Sequence, residues 1–236
     1  MRRLTATVRA DLRLQFRNGF HYATTFVVVI WLLVFGQLGR TPLDLQWVLP
    51  AFVLDNLVIN SFLFIGALVL LEKGEGTLQA QVVTPLLIGE YLGAKVITLT
   101  LLGLLQNLAV VVVFHGLTPG VLPLVLGVAL ASTLYILAGF VVVTRYDSIN
   151  EYLLPAIACV ALLLAPLLPY TVGWDSWLLR LHPMQAVLLI LQAGFRPVDA
   201  GTLIYALLYS LLWVVLLYRA SRRAFDRFII GRAGAN

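Results

Sequence analysis

Charge is what this sequence has least of. Its 236 residues include 16 Lys and Arg and 11 Asp and Glu, so 11% of the chain is charged, against about a quarter in ordinary soluble domains. With 61% hydrophobic residues and a mean hydropathy of +0.97, a soluble globular domain is excluded and a polytopic membrane protein is indicated. Cysteine is nearly absent: Cys159 stands alone in an apolar run, so no intramolecular disulfide can form. Histidine is scarce too, and His182 has no neighbouring acid or cysteine at a metal-ligand spacing. No G-x-x-x-x-G-K-[ST] occurs, and Gly74-Glu75-Gly76 is a lone G-x-G with an acid in its middle, so the chain has no phosphate loop of its own. Paired acids, histidine clusters and Ser/Lys dyads are missing from the hydrophobic runs, which removes an intramembrane enzyme.

What remains is long apolar runs. Six can cross a hydrocarbon core about 30 Å thick: about 22–38, 48–71, 94–116, 121–143, 152–169 and 202–218. Met184 to Leu191 is apolar but too short to span, and within an external segment of about 174–195 it reads as a re-entrant or interfacial helix. No A-x-A-like site follows the first run, so it is expected to stay as an uncleaved span. Pro155, Pro166 and Pro169 in the fifth span predict a kink or a packing irregularity.

Thirteen of the sixteen basic residues fall at one end of this topology: in the first twenty residues, in the loops after the second and fourth spans, and in the tail of about 219–236. Arg40, Arg180 and Arg196 fall at the other. The positive-inside rule then places both termini in the cytoplasm, and the even number of spans agrees. The net charge of +5 therefore reads as topogenic rather than as a nucleic-acid surface. Over residues 1–20, Leu4, Val8, Leu12 and Phe16 sweep one helical face while Arg2, Arg9, Arg13 and Arg17 cluster opposite. That predicts an amphipathic helix in the headgroup plane.

The polar loop of about 72–93 is the anomaly in this apolar chain. Glu72 ends the second span, where a carboxylate opposes the negative pole of the helix and calls for a cationic partner. Gly74 and Gly76 permit a sharp reversal. Thr77 to Val83, including Leu78 and Gln79, can form two helical turns. Thr84 then suits an N-cap, with Pro85 at the first position of the next helix. A plain connector needs about 2–8 residues, whereas this one uses about 20.

Asp55, Asn56 and Asn60 form a broad polar face on the second span, and Asp55 is the one acid well inside any span. The face reads as a polar pathway through the membrane or as interhelical glue at a dimer interface. Phe52 and Phe64, with Trp31 and Phe62, have the rings to stack on a planar substrate, although packing is the simpler assignment. Arg145-Tyr146-Asp147 in the loop after the fourth span reads as a solvated turn.

The run Glu72-Lys73-Gly74-Glu75-Gly76-Thr77-Leu78, followed by Thr84-Pro85-Leu86, Glu90-Tyr91-Leu92 and Lys95, resembles the first cytoplasmic loop of type-2 ABC exporter permeases. The resemblance extends over nearly the whole chain and is greatest to the small permease subunits of actinobacterial fluoroquinolone exporters. It implies an all-α membrane protein with six transmembrane helices, an N-terminal connecting helix carrying Arg9, Arg13 and Arg17, and a coupling helix from Glu75 to Val83. It further implies a bacterial plasma membrane, two cytoplasmic ATPase subunits that hold ATP and magnesium, and a second permease, identical or homologous. No cofactor is implied for this chain. The rival readings are a proton-coupled secondary transporter using Asp55 and a membrane scaffold or immunity protein without transport.

Overall fold

In the computed structural model, residues 2–38, 44–78, 87–116 and 120–230 are described. Among them every regular element is helical, the expected outcome for a chain that must satisfy its backbone without water. The elements are α1 (Arg2–Arg17), α2 (Phe20–Leu38), α3 (Leu45–Gly74), α4 (Ile88–His115), α5 (Val121–Val143), α6 (Ile149–Leu164), α7 (Leu167–Thr171), α8 (Trp177–Arg180), α9 (Pro183–Gln192) and α10 (Ala200–Phe225). A π-helical turn, Val58–Leu63, interrupts α3, and a second, Asp226–Ile230, extends α10.

Among the described residues five helices are long and apolar enough to cross a membrane: α2, α3, α4, α5 and α10, the last counted with its π-helical extension. The chain is an integral membrane protein. The expected fifth span, about 152–169, is not one helix. It breaks at Ala165-Pro166, where proline supplies no N–H and its ring crowds the carbonyl of the preceding turn, although both residues keep right-handed helical dihedrals. The two pieces together run beside α3 from one end to the other. The start of α6 lies near Thr144 and Tyr146, whose carbonyls accept from Lys73 at the end of α3. At the other end Tyr170 donates to the carbonyl of Trp47 at the start of α3. Pro155, by contrast, sits within an unbroken helix.

α5 is the hub, packed against α3, α4, α9 and α10. Tyr135, Ile136, Phe140 and Val143 are all fully enclosed. The outward faces carry Phe26, Leu33, Leu105, Leu154 and Leu208, all more than half exposed, which is the surface a lipid-embedded bundle presents. The short apolar helix α9 is buried between α3, α5 and α10, so its non-spanning backbone meets protein rather than lipid. His182 caps it: Nδ1 accepts from the Met184 N–H and Nε2 lies 3.1 Å from the Leu162 carbonyl. Burial holds this imidazole below its usual pKa, against the opposing pull of that carbonyl.

Candidate functional site at the arginine-rich end

At the end of the bundle that carries α1, three helices converge on one buried charge. Lys95 of α4 is fully buried, and its ammonium lies 2.7 Å from Asp11 of α1 and is also ion-paired with Glu72 of α3. Tyr91, one turn earlier on α4, donates to the second Glu72 oxygen at 2.6 Å, and its ring lies 5.1 Å beneath the ammonium. Glu72 thus has both oxygens satisfied, as a buried carboxylate requires. Asp11 is the weaker leg. Burial raises its pKa, opposed by the Lys95 charge, and its Oδ2 has no hydrogen-bond partner among the described residues.

α1 therefore does more than lie in a headgroup plane. It docks on α4 through a buried polar strip, Asp11 with Lys95 and Gln15 with Thr98 at 2.8 Å. Arg9, Arg13 and Arg17 remain exposed on its outer side, as does Phe16. The signal that could have found the strip is an acid and an amide four residues apart, Asp11 and Gln15, inside an otherwise basic helix.

The chain turns immediately after this cluster. α3 stops at Gly74, and Gly76 has φ +70°, the left-handed conformation that glycine adopts without steric cost. Thr77 Oγ1 donates back to the Glu72 carbonyl, and Leu78 tucks in with 2% exposure. Glu75 stays exposed and meets Arg17 of α1 at 2.8 Å. Lys73 reaches across to the Thr144 and Tyr146 carbonyls and to Asp147 at 3.2 Å, so the loop read as a solvated turn is joined to the first. Gln79, Thr84 and Pro85, with most of the expected coupling helix, lie outside the described residues. α4 begins at Ile88 after an extended Leu87, later than an N-cap at Thr84 would have it, and Glu90 accepts from the Leu87 N–H.

Deeper in the bundle, Asn56 and Asn60 enter a closed set of amides. Asn60 donates to Gln106 of α4, Gln106 donates to Asn56 at 3.2 Å, and Asn56 donates to Asn107 at 3.1 Å. Thr24 of α2 completes it by donating to Asn60. All four amides are at most 2% exposed. They join α2, α3 and α4 within one chain. Gln106→Leu would leave both asparagines short of a partner. It is expected to lower stability by about 1–2 kcal/mol, read from the unfolding midpoint of the purified protein.

Asp55 points the other way. It is exposed on the outer surface of α3 beside exposed Ile59, with no hydrogen bond or ion pair among the described residues. Phe52 packs edge-on against Trp31 and Phe35, and Phe64 against Phe20 at 4.7 Å, so both rings serve contacts between α2 and α3. Gln106, Asn107 and Thr24 were not singled out from sequence; the polar pair in the third span was their signal.

The model of the fluoroquinolones export permease protein family matches residues 2–233. The chain belongs to that family. Two members, both called fluoroquinolones export permease protein and found in Mycobacterium tuberculosis strains CDC 1551 and H37Rv, are each 36% identical to it over 238 residues. Each alignment covers 99% of this chain and 99% of the relative. A permease role, without catalytic chemistry in this chain, follows from that membership.

Proposed function

We propose that this chain is the membrane permease of an ATP-driven exporter. On this reading it acts as one of two permeases, identical or homologous, in a bacterial plasma membrane with both termini cytoplasmic. ATP and magnesium belong to two separate ATPase subunits, and the chain itself holds no cofactor. The cargo is a drug-like amphipathic molecule of the fluoroquinolone kind, as the relatives' names suggest.

One observation carries the reading. The exposed bend at Glu75 and Gly76 is continuous with α3, and the buried Asp11–Lys95–Glu72 cluster ties that bend to α1 and α4. A push on the bend is transmitted rather than absorbed, because the charges beneath it cannot separate without stranding one another. Asp55, exposed within a span and unpartnered, favours a protein or cargo face over lipid at that position, since a carboxylate is costly in hydrocarbon.

Gly76→Pro tests the coupling. Proline holds φ near −65° and cannot adopt the turn; it also loses the Gly76 N–H donated to the Lys73 carbonyl, while nothing lies within 4 Å of an added Cβ to disturb the packing. The variant is expected to melt close to wild type and co-purify with ATPase subunits that still hydrolyse ATP, while drug efflux from vesicles falls at least ten-fold. Undiminished efflux, or no ATPase subunit recovered from cells expressing the neighbouring genes, would sink the proposal.

A further inference from the structure

The opposite end of the bundle carries a built pocket that the export reading does not use. It is a cavity of about 130 Å³ between the start of α3, the end of α7, α8 and α9. Arg180 and Arg196, two of the three cations that the sequence places at this end, both line it. Asp175 pairs with Arg180 at 3.6 Å, so the pocket's charged side chains sum to one positive charge. Gln185 also lines it; this side chain is 8% exposed and its Oε1 is buried with no hydrogen-bond partner among the described residues. A buried acceptor left this way is costly and calls for a donor from a ligand.

The aromatic floor is already engaged. Trp47 stacks on Tyr170 at 4.4 Å with an interplanar angle of 6°, and the Arg196 guanidinium sits 4.7 Å over the Trp47 ring. The indole is thus already engaged by a ring and by a guanidinium. Through Trp174 and Leu179 the pocket runs into an apolar groove of about 660 Å³ along the broken crossing, where Leu168, Val172 and Leu178 are exposed. A small cationic pocket opening into a long apolar groove matches a head joined to a hydrocarbon tail.

We infer that this pocket binds a phospholipid of the facing leaflet whose phosphodiester carries a hydroxylated head, the chemistry of phosphatidylglycerol. The single negative phosphate matches the net positive charge and is held by Arg180 and Arg196. A head-group hydroxyl donates to Gln185 Oε1, and an acyl chain lies in the groove. The inference rests on this end of the fold alone and stands whether or not the chain couples to an ATPase.

Native mass spectrometry of the full chain, released from nanodiscs of equal phosphatidylglycerol and phosphatidylcholine, tests it. The wild type is expected to retain one phosphatidylglycerol at least ten-fold over phosphatidylcholine. The R180Q/R196Q variant is expected to lose that molecule, with the arginines of α1 untouched. Arg180→Glu alone keeps Arg196 on Trp47 and, as a substitution of a half-exposed side chain, is expected to fold and reduce retention at least five-fold. Gln185→Leu is expected to weaken phosphatidylglycerol but not phosphatidic acid, which lacks the hydroxylated head. Retention unchanged in Arg180→Glu would overturn the assignment. So would displacement of the lipid by millimolar inorganic phosphate or by a carboxylate drug, because the pocket would then be a site for free anions.

Discussion

Replacing Lys95 with methionine is expected to destabilise the protein by about 3–5 kcal/mol, the largest effect of any single substitution considered. The ammonium is 1% exposed, between carboxylates that are 2% and 6% exposed. Taking it away leaves Glu72 and Asp11 as uncompensated neighbours of like sign, and each must then be protonated or rehydrated. The partners respond unequally. Asp11→Asn keeps the Lys95–Glu72 pair and the Tyr91 hydrogen bond, and it removes a carboxyl whose ionisation burial already opposes. A loss of about 1 kcal/mol is expected there, as for an ordinary hydrogen bond. The triple substitution Lys95→Met with Glu72→Gln and Asp11→Asn removes all three charges while leaving Tyr91 an oxygen to donate to. It is expected to recover most of the loss, because neutral side chains cost less to bury than lone carboxylates. Unfolding midpoints in a mild detergent give all three values. A Lys95→Met protein within about 1 kcal/mol of wild type would show that water reaches the cluster and that its charges do not bind the helices together.

This cluster also changes what Glu72 can be used to test. From sequence it is one of several loop residues facing a partner; in the fold its exposure is 2% and it is bound into the bundle. Glu72→Ala would therefore perturb folding and export together, whereas Gly76 and Glu75 lie outside the packed part and report on the loop itself.

The long apolar helices and the basic end were legible because both are local properties: hydrophobic length and the placement of arginine need no knowledge of the fold. Glu72's need for a cation was legible as well, from the helix pole it opposes. The identity of that cation was less so. Lys95 is 23 residues on and Asp11 is 61 residues earlier, and nothing in the spacing brings them together; the docking of α1 on α4 does. The same holds for the amides. Asn56 and Asn60 announce a polar face, but only the packing of α3 on α4 shows that Gln106 and Asn107 fill it. The broken fifth crossing was half visible. Three prolines signalled irregularity, yet Pro155 is tolerated while Ala165-Pro166 ends the helix, and no local rule separates the two.

Gly139→Val is expected to cost about 3 kcal/mol, at the upper end for overpacking a filled interior. A Cβ at this position of α5 would stand 2.7 Å from Ile65 Cγ2 and 2.9 Å from the Phe62 carbonyl oxygen. The second contact is to backbone, in the π-helical turn of α3, so no rotamer change can relieve it. That turn is held from both sides. Tyr152 of α6 donates to the Phe62 carbonyl and Tyr135 of α5 to the Leu54 carbonyl. It also contains Asn60 of the amide set and precedes Glu72 of the charge cluster on the same helix, so displacing it strains two networks at once. Gly36→Ala on α2, where nothing lies within 4 Å, is the matched control and is expected to be neutral or stabilising by up to about 1 kcal/mol from helix propensity. Adding Ile65→Ala to Gly139→Val removes the side-chain clash but not the carbonyl, so rescue is expected to be partial. Full rescue would mean that α5 and α3 are kept apart by side chains alone, and that the close backbone approach at Gly139 does not set the position of the π-helical turn.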